Sequence, residues 1–327
     1  MAKSLISNKV DILGISLSGI IVFLALKILE PNSYIYIALT FLIAIALDNG
    51  HVYMTYSRVK KEFKQSPLFF TLVPLSITVG IFLWLYFKIP YFWSFVVYAT
   101  FFHFVRQVYG INRWYMSQEG IKSGAIDFFL YSLVILPILS IHFNPNMHIE
   151  LYGKDDFITY ESMFLFKTTI LLNILALIGW GVSEYLIYKK IKKVNFYRIV
   201  FILSNAILFA LVGYFAQNYI EVIIPLMMAH GFQYLILSSS FESKTYKEKI
   251  MKVFLILLLI GIIFGGIDTY FQEQFDMNNS YLYYTDVVEN LLLALLLTPL
   301  FSHYIYDMKI WKSQYIKNLV ERLEKNG

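Results

Sequence analysis

Cysteine is absent from the 327 residues. Disulfides and thiolate metal ligands are therefore excluded, and any metal must be held by imidazole, carboxylate or amide groups. Charge is scarce as well. Asp, Glu, Lys and Arg make up 15% of the chain, against 58% hydrophobic and 18% aromatic residues, and the mean hydropathy is +0.61. A soluble domain carries about 25% charged residues, so this composition belongs to a polytopic membrane protein. Several catalytic signatures are missing too: the H-x-x-H-H boxes of membrane desaturases and alkane hydroxylases, H-E-x-x-H, G-x-S-x-G and a Walker loop. No soluble domain, low-complexity tract or internal repeat stands out. Nucleic acid is excluded as a partner, because nothing supports it beyond the net charge of +5, and the placement of Lys and Arg accounts for that.

What the chain has in quantity is long apolar runs. Ten can be drawn, over about 10–29, 34–57, 68–87, 91–112, 125–143, 162–188, 196–216, 219–240, 251–270 and 287–307. Each is near the roughly 20 residues that cross the hydrocarbon. The expected fold is all-α: one integral membrane helical bundle over residues 1–327, with about ten transmembrane helices. The N-terminal M-A-K-S-L-I-S-N-K leads into a full-length apolar run with no small-residue cleavage site, and is read as introducing a retained first helix rather than a signal peptide. Pro74, Pro137, Pro225 and Pro299 fall inside runs and are expected to kink them.

Charge placement orients the bundle. With both termini in the cytoplasm, 23 of the 27 Lys and Arg residues fall on the inner side, and only Lys27, Lys88, Lys154 and Lys167 are left for the outer side. The outer loops are acidic instead, with Glu150, Asp155, Asp156, Glu273 and Asp276. This is the positive-inside pattern. The expected location is a bacterial inner (cytoplasmic) membrane.

Six histidines remain to be explained. His142 and His148 flank the outer loop after the fifth run and are read as solvent-exposed. The other four, His51, His103, His230 and His303, lie in the second, fourth, eighth and tenth runs. All four of these runs would cross the membrane in the same direction. His51 stands seven residues before Arg58, or about 10 Å at helical rise; His303 stands six before Lys309, His103 ten before Arg113 and His230 twelve before Glu242. The four imidazoles therefore share a depth in the inner half of the bilayer and can converge. Ionisable groups at such depth are costly and mark function by default, although any single one can instead be a hydrogen-bonding partner between helices.

Each histidine has polar company at helical spacing: Asp48 at i−3 of His51, Arg106 and Gln107 at i+3 and i+4 of His103, Gln233 at i+3 of His230, and Asp307 at i+4 of His303. The expected metal ligands are His51, His103, His230 and His303, with Asp48 and Asp307 as ligands or as groups that orient the imidazoles. Arg106, Gln107 and Gln233 are the expected catalytic polar residues, with snorkelling to the inner surface as the other reading of Arg106. Tyr53, Tyr56, Tyr109, Tyr234, Tyr304 and Tyr306 crowd the same level and read mostly as an interfacial aromatic belt, with one available as a proton donor. Asp11, Asp127, Glu184, Glu221 and Asp268 read as boundary residues near run ends. Gly50, Gly110 and Gly231 would let helices or a substrate approach the backbone.

Single histidines donated by separate helices of a cysteine-free bundle make the chain similar in outline to the Brp/Blh membrane carotene dioxygenases. That resemblance implies iron held by histidines and cleavage of a lipophilic polyene; it transfers no residue assignments.

The expected cofactor is a divalent transition metal, one or two ions, iron favoured over zinc or manganese. The expected activity is an iron-dependent oxygenase or other oxidoreductase acting on a lipophilic small molecule in membrane lipid. Zinc or two-metal lipid hydrolysis is the nearest variant. A proton- or ion-coupled transporter would use the same His/Asp set as a relay. Two b-type haems would put histidines at two depths, whereas these share one.

Because the chain lacks cysteine, its orientation can be mapped with single introduced thiols. Lys193→Cys is expected to react with an impermeant maleimide only after cell lysis, and Glu161→Cys in intact cells; the opposite pattern would invert the topology.

Overall fold

A computed structural model describes residues 4–31, 33–64, 66–145, 147, 157–274 and 287–310. It is all-helical, 86% helix, with no strand among the described residues. The reason is the solvent: where no water can satisfy backbone N–H and C=O groups, a helix pairs them within one segment. The elements are a π-helical turn at Val10–Ser16, α1 (Ser18–Ile28), α2 (Tyr34–Leu42), a second π-helical turn at Ile43–Asn49, α3 (Gly50–Phe63), α4 (Pro67–Tyr86), α5 (Phe92–Glu119), α6 (Gly124–Phe143), α7 (Met163–Ile191), α8 (Phe196–Phe215), α9 (Tyr219–Tyr246), α10 (Ile250–Gln274) and α11 (Val287–Ile310).

Among the described residues, eight helices are long and apolar enough to cross a membrane, nine if the first π-turn and α1, bent by 58°, form one span. This is the make-up of an integral multi-pass membrane protein. The fourth expected run coincides with α5, which is 28 residues long but diluted by His103, Arg106 and Gln107, so it falls outside that set. Pro74, Pro137, Pro225 and Pro299 all lie inside helices. The hydroxyl of Thr78 bonds the carbonyl of Pro74 and that of Ser140 the carbonyl of Pro137.

Contacts divide the chain into two compact units, the first drawn from Met1–Phe41, Thr100–Ile149 and Phe157–Gln233, the second from Leu42–Ala99 and Tyr234–Gly327. The divisions at 99/100 and 233/234 fall inside α5 and α9, so each of these helices contributes to both.

In the first unit, α6 packs on α7 and α8. Gly213 of α8 sits so close to the backbone of Pro137 that a Cβ there would strike the proline carbonyl. Ionised groups in this unit are buried in sets. Arg198 is fully buried and donates to Glu119 at 2.5 Å and to both oxygens of Glu184 at 2.5 and 2.7 Å. Asp11 is fully buried as well, accepting from Leu5 N, Ile6 N, Ser7 N and the Tyr115 hydroxyl. Glu221 is buried and paired with Lys27 at 2.6 Å. The boundary reading of Asp11, Glu184 and Glu221 is thus corrected. These carboxylates do not reach for water; they fasten helices to one another.

In the second unit, α11 packs on α4 and α3, and α10 on the second π-turn and α3. One apolar cluster joins Ile81, Leu85, Phe92, Val96, Leu293, Ala294, Leu297 and Phe301. Thr78 and Thr298 bond across α4 and α11 at 2.7 Å. The backbones of α3 and α10 nearly touch: a Cβ on Gly50 would lie 2.6 Å from Gly261 Cα, and one on Gly265 would strike the carbonyl of Ile45. Of the three glycines expected at close approaches, Gly50 makes one and Gly110 does not, having open space where its Cβ would be.

Removing one member of a buried ionic set leaves the others uncompensated. Arg198→Met is therefore expected to lose about 3–5 kcal/mol of stability, read as a lowered unfolding temperature in detergent. Unchanged melting would mean that Glu119 and Glu184 are solvated after all.

Candidate metal centre

His51 stands just after the second π-turn, with Gly50 between them. A π-turn widens the helix by one residue and shifts the carbonyls that follow; such turns recur at functional sites. Here the N–H of Gly50 bonds the carbonyl of Ile45, five residues back, and His51 Nδ1 stands 2.9 Å from the carbonyl of Leu47. A carbonyl can only accept, so Nδ1 carries the proton and the ring's lone pair lies on Nε2. Gly50 permits the close packing on α10 that holds this turn in place.

The second unit also holds His303, fully buried on α11. Its ring centroid lies 4.6 Å from that of His51, edge to face. His303 Nδ1 is 2.6 Å from Thr55 Oγ1, which is itself 2.6 Å from the Tyr234 hydroxyl. Thr55 and Tyr234 also donate to Asp307 Oδ1, at 3.4 and 3.3 Å. In the first unit, His103 of α5 and His230 of α9 form the corresponding pair, with centroids 4.8 Å apart, and Phe104 lies 4.7 Å from the His230 ring. The Gln107 amide donates to the carbonyl of His230 at 2.9 Å and to Gln233 Oε1 at 3.1 Å, and Gln233 donates to the carbonyl of Ile15 at 2.7 Å. A cavity of about 10 Å³, lined by Phe104, Gln107, Asn205, His230 and Gln233 among others, adjoins this amide chain; it has room for about one water.

All four histidines are buried, with relative exposures of 2%, 8%, 3% and 0% in chain order. One ligand atom from each lies within 4.8 Å of the others, so four histidines stand close enough to hold a metal ion. Asp48 and Asp307 are not members of that group. Asp48 has a like-charged neighbour in Asp268 on α10, to which the Tyr53 hydroxyl bonds. Asp307 sits behind His303, with Oδ2 3.7 Å from Nδ1.

The other expected residues are placed as follows. Gln107 and Gln233 form the amide chain that ties α5, α9 and the first π-turn together. Arg106 is exposed; its guanidinium donates to Tyr131 at 2.5 Å and lies 4.9 Å above the ring of Tyr109. Tyr131 lines an apolar groove of about 500 Å³ between α6 and α7, which no histidine lines. His142 is half-buried, stacked on Phe157 and bonded to the carbonyl of Ile158. His148 lies outside the described residues, as do Glu150, Asp155, Asp156 and Asp276. Tyr234 and Tyr306 are 1% exposed, which corrects their reading as belt residues. Thr55 was not anticipated. Its signal was present in the sequence: Thr55, Gln107, Tyr234 and Asp307 stand at i+4 of His51, His103, His230 and His303.

The chain matches no family model, no curated protein and no solved structure. The likeness to the Brp/Blh dioxygenases accordingly remains one of outline, and the site stands on its own geometry.

Gln107→Leu leaves two buried acceptors without their donor and is expected to cost about 1–3 kcal/mol in detergent unfolding. Arg106→Gln, at an exposed position, is expected to stay within about 0.5 kcal/mol of the parent. A reversed order would contradict the placement of these two side chains.

Proposed function

We propose that the protein is an integral-membrane metalloenzyme, an iron-dependent oxidoreductase or oxygenase acting on a lipophilic substrate, with His51, His103, His230 and His303 as the ligands of one ion. The observation that carries this reading is the four buried imidazoles with ligand atoms within 4.8 Å of one another. Nitrogens about 2.1 Å from a tetrahedral ion lie about 3.4 Å apart, and trans nitrogens of an octahedral ion about 4.2 Å. Closure onto one ion thus asks the widest pair to shorten by up to about 0.6 Å for trans positions of an octahedral ion and up to about 1.4 Å for a tetrahedral one.

The proposed chemistry, which needs open coordination positions, favours iron over zinc. Four imidazoles complete the tetrahedral shell that zinc takes in closed, structural sites, whereas six-coordinate iron would keep two exchangeable positions. Such an ion would supply one-electron chemistry at those positions. A pair of ions 3.5–4 Å apart, about the spacing of two-metal hydrolases, would need bridging carboxylates, and neither Asp48 nor Asp307 belongs to the four-histidine group. The protein's own contribution is to bury and orient the ligands. Leu47 and Thr55 engage the Nδ1 atoms of His51 and His303, directing Nε2 of each toward coordination. A lipophilic substrate follows from the setting: helices α3, α9 and α11 that carry three of the ligands belong to apolar spans.

Elemental analysis of the detergent-purified full chain tests the reading. Near-stoichiometric iron is expected in the parent, falling at least tenfold in both His51→Ala and His103→Ala while the helical circular dichroism persists. A parent without metal after anaerobic reconstitution with ferrous iron would sink the proposal. Proton flux through liposomes carrying that metal-free protein would then favour a carrier.

A further inference from the structure

Resting on that reading of the histidines, we infer that Thr55 is a positioning residue of the metal centre, joining His303 to Asp307 through Tyr234, and that Asp307 acts through this chain instead of binding the metal. Thr55 and Tyr234 are 0% and 1% exposed and Asp307 is 7% exposed. In such surroundings each hydroxyl proton must be directed at an acceptor.

Counting protons decides the direction. Thr55 Oγ1 is within 2.6 Å of both His303 Nδ1 and the Tyr234 hydroxyl and 3.4 Å from Asp307 Oδ1, and it has one proton for the three contacts, the shorter two being the stronger. In one arrangement His303 Nδ1–H donates to Thr55, Thr55 donates to Tyr234, and Tyr234 donates to Asp307 Oδ1 at 3.3 Å. Every link then carries one proton and the chain ends on a carboxylate, which only accepts. In the reverse arrangement Tyr234 donates to Thr55 and Thr55 to Nδ1. The ring proton then sits on Nε2, which blocks that atom for coordination, and Asp307 loses the Tyr234 donor. The charge of Asp307 therefore selects the tautomer that can bind metal through Nε2. It cannot do so directly, because its nearer oxygen is 3.7 Å from Nδ1, beyond hydrogen-bond reach.

The chain also explains a spacing in the sequence. Thr55, Tyr234 and Asp307 each follow a histidine by four residues, about one helical turn. One turn of α3, α9 and α11 carries the ligand, and the next turn carries the group that orients one of them. Both ends of the chain, His303 and Asp307, stand on α11, and the two hydroxyls between them come from α3 and α9.

Cobalt(II) serves as the probe, since its visible absorption reports ligand geometry and its affinity can be read by chelator competition on the full chain in detergent. Thr55→Val keeps the shape and removes the hydroxyl. It is expected to weaken cobalt binding about 10–100-fold and to shift the visible bands, while Thr55→Ser retains the parent spectrum and an affinity within about threefold. Parent-like affinity and spectrum in Thr55→Val would overturn the inference and leave the four-histidine centre standing. Absence of cobalt binding in the parent would overturn both. Where Thr55→Val does not fold, Tyr234→Phe carries the test, since it cuts the chain one link further on. A shifted spectrum with weakened binding supports the inference, and an unchanged one rejects it.

Discussion

Hydrocarbon cannot solvate a polar group, and this constraint runs through the whole structure. A buried polar group without a partner costs several kcal/mol in such a medium, so the charged and amide groups that the chain carries inward are favoured where another group meets them. The helices answer this for the backbone. For side chains the answer is pairing between helices, as in Arg198 with Glu119 and Glu184, Lys27 with Glu221, or Asp11 with three backbone N–H groups and Tyr115. These sets supply hydrogen-bond partners to their own charges, and in the Lys27–Glu221 pair the charges also balance. They are structural in consequence.

The histidines differ in kind. Imidazole is neutral when it binds a metal, carries a lone pair, and needs an orienting partner on its other nitrogen. His51 and His303 have that partner in Leu47 and Thr55. Polar groups are thus graded around the centre: four nitrogens gathered together, hydroxyls and amides one turn away, and carboxylates further out. Asp307 belongs to the outer grade. Its oxygens face Thr55 and Tyr234, so its charge reaches the imidazole through hydroxyls.

Much of this was legible in the sequence for a simple reason. Polar residues in apolar runs are few, so each one is conspicuous, and the 3.6-residue period tells which of them share a face. The helical class, the apolar spans and the four histidines could all be read from that rule. Harder to read were the residues whose chemistry is ambiguous. Thr55 and Tyr234 look like any span-end hydroxyl until Asp307 and His303 are seen beside them. Asp11, Glu184 and Glu221 look like boundary residues because sequence position gives distance from a run's end, and says nothing of what packs there. Arg106 and Gln107 are adjacent in sequence and diverge in space, one turned to Tyr131 at an exposed position and the other inward to the backbone of His230.

The chain's periodicity and composition by themselves determined an all-helical membrane protein in which imidazole is the only nitrogen ligand set at depth and thiolate is excluded. Local hydrophobic pattern suffices for that, since it dictates which segments leave water. Which hydroxyls stand between His303 and Asp307, and how the π-turn before Gly50 aims His51, were decided only by tertiary structure. Those relations depend on side chains more than 170 residues apart in the chain, as Thr55 and Tyr234 are, and on backbone approaches such as Gly50 against Gly261. No local pattern encodes a distance between helices; packing does.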